Sequence, residues 1–68
     1  MHNTGMVTAE EVKKTRATLG ESQAVFGSRF GIDQSTVHRW ETDAPPKRGP
    51  GLIALRKLID DLAQQAAE

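Results

Sequence analysis

The sequence predicts an all-α domain built from four helices. Apolar residues recur at helical spacing, helix caps and glycine stops punctuate the chain, and no stretch alternates as a strand would. The 68 residues fit one domain, with residues 1–7 as a flexible N-terminal arm and 8–68 as the folded part. Met6, within that arm, is a second candidate start of translation.

The first helix opens at Thr8, in the capping box Thr-Ala-Glu-Glu, where Thr8 caps the helix and Glu11 reaches back to its backbone. It runs to about Leu19 and stops at Gly20. Val12, Thr15, Arg16 and Leu19 share one face, so Arg16 needs a partner to stand among apolar neighbours. Ser22 caps a second short helix, Gln23 to Phe30, ended by Gly31. Gly27 lies inside it at a cost of about 1 kcal/mol relative to alanine, which a close backbone crossing explains. Asp33 caps a third helix, about Gln34 to Thr42. The basic loop Asp43 to Gly51 follows, and Pro50 suits the first position of a fourth helix. There Leu52, Leu55, Leu58, Ile59, Leu62 and Ala66 form one apolar arc, while Ile53 lies off it.

Composition removes several classes of function. With no cysteine and two histidines, His2 and His38, the chain has no set of ligands for a metal, and no metal or cofactor is expected. No clustered nucleophile, acid–base pair or phosphate-cradling glycine loop is present, so no enzyme is expected. No apolar run approaches the roughly 20 residues of a membrane span. A cytoplasmic protein is the expectation.

Net charge is zero, yet the charges are segregated. All nine Lys and Arg lie between Lys13 and Lys57, against only four acids there: Glu21, Asp33, Glu41 and Asp43. The middle of the chain therefore carries an excess of five positive charges, offset by acids at both ends.

The third helix has the least ordinary surface. With Gln34 at 0° and about 100° per residue, Val37 and Trp40 point inward while Gln34, His38, Thr42, Ser35 and Arg39 spread over the opposite face. That face has no acid. Glutamine can pair bidentately with adenine, and arginine with guanine, in the major groove of DNA. The competing reading is a polar helix that merely faces solvent.

The run SQAVFGSRFGIDQSTVHRWE, residues 22–41, resembles the Cro/Xre-type helix-turn-helix family, which includes lambdoid phage repressors. The resemblance covers about Val12 to Leu58. It rests on Arg16, Ser22-Gln23, the Phe-x-x-x-Phe-Gly frame at 26–31 and the segment Ser35 to Glu41. Gly27 stands where the family usually has alanine, Glu21 where it has an apolar residue, and Asp43 where it has glycine. Four helices fit here, where members often have five.

The resemblance implies a compact helix-turn-helix domain of the lambda-repressor-like type. In it Gln34, Ser35 and Arg39 match base-contacting positions, and adjacent His38 is placed to touch a base or a phosphate. Ser22, Gln23 and Thr42 match backbone contacts, and Gln23 can also brace Gln34. Lys47 and Arg48 are candidate phosphate neutralisers or simply solvated loop charges. Arg16 and Glu41 match a structural ion pair, which the helical wheel supports independently by placing Glu41 beside Val37.

The function so implied is a sequence-specific, double-stranded DNA-binding transcriptional regulator, a bacterial or phage-encoded repressor or autorepressor acting at the nucleoid. A single small domain offers little interface, so a homodimer on a palindromic operator is expected. Ile53, with Ala63 and Ala67, is the candidate dimer surface. The alternative is an antitoxin-like or scaffold module that binds a protein partner, with DNA binding secondary.

Overall fold

A computed structural model describes residues 6–67, which form four helices with no strand among the described residues. They are α1 (Ala9–Leu19), α2 (Gln23–Ser28), α3 (Gln34–Trp40) and α4 (Pro50–Ala67). Residues 1–5 of the expected arm lie outside the described part. The arm does not extend to residue 7, because Val7 is buried in the core. Its side chain gains more from apolar contact than a solvated arm would give it.

Local chemistry sets the boundaries. The Thr8 hydroxyl accepts the Glu11 N–H at 3.1 Å, and the Glu11 carboxylate accepts the Thr8 N–H at 3.0 Å, so both halves of the capping box form. At the other end Gly20 is left-handed, with φ 69°. The N–H groups of Gly20 and Glu21 donate to the carbonyls of Ala17 and Arg16, the pairing of a Schellman stop. Ser22 and Asp33 cap α2 and α3 by accepting the N–H groups of Val25 and Thr36.

Two helices end earlier than the sequence suggests. The α2 helix stops at Ser28 because the Gly27 carbonyl takes the N–H groups of both Phe30 and Ile32, closing a turn through left-handed Gly31. The α3 helix stops at Trp40 because the Arg39 carbonyl accepts from Thr42, Asp43 and Ala44 together. Pro45 then holds its predecessor out of helical geometry.

Val7, Val12, Phe26, Val37, Trp40 and Leu55 form the core, with Leu19, Phe30, Ile32, Leu52, Leu58 and Ile59 packed around it. Phe30 links Phe26 and Trp40, with ring centroids 5.2 and 5.6 Å away. The α2 and α3 helices form the closest pair, and Gly27 is the reason they can. A Cβ at that position would lie 2.7 Å from the Ile32 carbonyl oxygen and 3.0 Å from a Val37 methyl.

The α4 stripe only partly serves this core. Leu55 is buried and Leu52, Leu58 and Ile59 pack on the cluster, but α4 runs on past them. Leu62 and Ala66 line an open groove against Thr15 and Thr18 of α1, and Ala66 is exposed.

Candidate nucleic-acid interface

A chain of hydrogen bonds runs from inside the domain to the outer face of α3. It begins at Arg16, whose Nε and Nη2 donate to the two Glu41 oxygens at 2.5 and 3.1 Å. Its Nη1 donates to the Glu21 carbonyl at 2.9 Å, tying α1 to the start of α2. The Glu41 side chain is only 5% exposed, so an unpaired carboxylate there would be costly. Glu41 is held below the ordinary carboxylate range, chiefly by the Arg16 hydrogen bonds, with Gln23 and the charges of Arg16 and Lys13 adding to the effect.

The chain continues outward. Gln23 Nε2 donates to Glu41 Oε1 at 3.1 Å, and Gln34 Nε2 donates to Gln23 Oε1 at 3.3 Å. A carboxylate can only accept, so Glu41 fixes which end of the Gln23 amide points inward. Gln23 in turn orients Gln34. Gln34 is exposed, and its oxygen and second amide proton have no hydrogen-bond partner among the described residues, which leaves the donor–acceptor pair that an adenine edge requires.

Gln23, Asp33, Gln34, Ser35 and His38 surround one shallow concavity. Gln34, Ser35, His38 and Arg39 are all exposed, as the sequence places them. The Ser35 hydroxyl donates to Asp33 Oδ1 at 3.3 Å, leaving it to act as an acceptor in that rotamer. Asp33 itself is held below its ordinary value, first by the Thr36 hydroxyl and then by the Thr36 N–H. The Thr42 hydroxyl donates to the His38 carbonyl at 2.7 Å. Its proton is thus engaged, and a contact with a phosphate oxygen requires it to rotate. Ser22 is different: its oxygen accepts from Val25, so its own proton stays available. Lys47 and Arg48 are exposed in the loop that follows α3.

Sequence reasoning missed three ion pairs. Arg29 clasps Glu21 through Nε at 2.9 and 3.1 Å and Nη2 at 2.5 Å. This contact draws Glu21 below, and Arg29 above, their ordinary values through hydrogen bonding. It gives Glu21 a structural use. Farther along, Arg56 pairs with Asp60, and Lys57 with Asp61, one turn apart on α4.

Those pairs surround Ile53, which is 71% exposed beside Arg56, Lys57, Asp60 and Asp61. Ala63 instead lines the groove against α1, so Ile53 and Ala63 open onto different surfaces. Among the described residues, Ile53 and Ala63 of the expected patch therefore do not share one surface. The side chain of Ala67 lies outside the described part.

Fold and site together define, among the described residues, a small all-helical protein whose third helix carries a polar face with no acid of its own, bordered by its exposed cap Asp33. Comparison with protein families, with curated proteins and with solved structures finds no match to this chain. No described helix is long and apolar enough to cross a membrane.

Proposed function

We propose that this chain is a sequence-specific, double-stranded DNA-binding transcriptional regulator, a repressor or autorepressor. In this reading α2, the Gly31 turn and α3 form a helix-turn-helix of the Cro/Xre type, in a lambda-repressor-like domain that acts in the cytoplasm of a bacterial cell. The α3 helix enters the major groove, where Gln34, Ser35, His38 and Arg39 meet base edges. Ser22, Gln23, Lys47 and Arg48 hold the flanking phosphates, joined by Thr42 once its hydroxyl turns.

One observation carries the reading. Four cations, Arg16, Arg29, Arg56 and Lys57, are neutralised by acids of the same chain. Five cations have no such partner among the described residues: Arg39, Lys47 and Arg48 belong to α3 or the loop after it, and Lys13 and Lys14 to α1. A protein of zero net charge thereby keeps three of its five unpaired cations on the helix whose side chains suit bases and on the loop that follows it.

Selection from a random duplex pool tests this. A repressor of this kind enriches a palindromic site and loses affinity steeply as salt rises. No enrichment, or binding indifferent to salt, rejects it. A second reading, a protein-interaction module, draws on Ile53 and the apolar α1–α4 groove. It fits an outcome in which duplex DNA does not bind and a protein partner does.

A further inference from the structure

The α1 helix carries two adjacent lysines, Lys13 and Lys14, both exposed and neither in an ion pair among the described residues. A helical turn of about 100° per residue sends them to different sides. Lys14 lines the groove that α1 shares with Leu62 and Ala66 of α4, away from α3. Lys13 stands one turn before Arg16, the residue that reaches Glu41 at the end of α3 and the Glu21 carbonyl ahead of α2. It therefore flanks the junction where the end of α3 meets the start of α2.

Glu41 lies within range of Lys13, whose charge contributes to lowering its pKa. Yet Lys13 makes no hydrogen bond or ion pair with Glu41. Arg16 occupies both oxygens, and Gln23 shares one of them. The Lys13 ammonium has no ion-pair partner among the described residues, on the side of α1 from which Arg16 reaches Glu41 and where Gln23 joins that carboxylate. Resting on the DNA-binding reading above, we infer that Lys13 is a further phosphate-binding residue of the interface and that Lys14 is not. The ligand chemistry is a backbone phosphate diester, and the contact adds affinity without sequence preference.

The two lysines make opposite forecasts. Affinity for a mixed-sequence duplex is measured across a salt series for the wild type, Lys13→Ala, Lys14→Ala and Lys13→Arg. Each phosphate neutralised contributes a slope of about −0.9 in log affinity against log salt. Lys13→Ala should make the slope shallower by about one, Lys13→Arg should restore it, and Lys14→Ala should match the wild type. Circular dichroism checks that each variant folds. A Lys13→Ala slope equal to the wild type overturns the inference, as does an equal fall for Lys13→Ala and Lys14→Ala. Flat lines for all four proteins overturn the DNA-binding reading itself, and Lys13 falls with it.

Discussion

Arg16 and Glu41, 25 residues apart, meet fork to fork, with two donors of one guanidinium on two oxygens of one carboxylate. The pair joins the first and third helices where each turns an ionised side chain toward the core. Arg16→Ala leaves Glu41 charged and largely buried, at a cost of about 3 kcal/mol. That is the low end for breaking a buried pair, since 22% of the Arg16 side chain remains exposed. Thermal unfolding measures it. An unchanged Tm means that the pair contributes nothing.

Acid acts on the same carboxylate. Glu41 is held below its ordinary value of 4.5, so the unfolded chain takes up that proton first. The resulting stability is complete above 4.5 and is lost as pH falls through the lower folded value. Wild-type Tm should hold through the neutral range and fall in the acid limb. Glu41→Gln should start lower and lose less on acidification. Parallel acid limbs for the two proteins contradict the assignment.

Gly27→Ala sets helix propensity against packing. Alanine gains about 1 kcal/mol in an exposed helix interior. Here its Cβ would sit 2.7 Å from the Ile32 carbonyl oxygen, which is backbone and cannot swing aside. Overpacking of this kind costs about 1–3 kcal/mol, so Tm should fall. A Tm at or above wild type would mean that α2 and α3 separate more easily than their contact implies.

Arg39→Ala and Gln23→Ala should differ in what they damage. Arg39 is exposed without an ion-pair partner among the described residues, so its loss should relax preference at one base pair by about 1–3 kcal/mol, most readily at a guanine. Gln23 has a double place in the hydrogen-bond chain. Its removal should weaken all duplexes and also soften the preference at the base read by Gln34. Binding measured on single-base variants of a selected site distinguishes these patterns. Uniform weakening by Arg39→Ala makes that residue a phosphate contact.

Ile53→Asp tests assembly. Its 71% exposure makes it available to a second copy, although the ion pairs around it make the patch small. The expected result is reduced cooperativity on two half-sites, with binding to a single half-site unchanged. Equal cooperativity in wild type and variant removes Ile53 from the dimer surface.

Much of this architecture was legible because its causes are local. Thr8, Ser22 and Asp33 cap the N–H groups three residues ahead, and Gly20 ends α1 by its own backbone geometry. Arg16 and Glu41 were legible from another cause: each lies on the border of an apolar face, where charge needs a partner. Arg29 and Glu21 were not, because eight residues and a helix end separate them and no periodicity relates the two. Val7 precedes the first capped helix, so no repeat marks it as core. Leu62 and Ala66 continue the α4 stripe in sequence, but the stripe does not reveal where the neighbouring helix falls short.

Trp40, the chain's only tryptophan, belongs to the same short helix as Gln34 and Arg39 but faces the other way. It is 8% exposed, tilted against Phe30, and Gly51 passes close to its ring. This supplies an optical gauge that needs no label. Denaturation moves the indole into water and reddens its emission. A molecule docking on the opposite face leaves the fluorophore in its apolar setting and its colour unchanged. Folded fraction and occupancy can thus be followed separately in one cuvette, the first by emission wavelength and the second by the anisotropy of a tagged duplex.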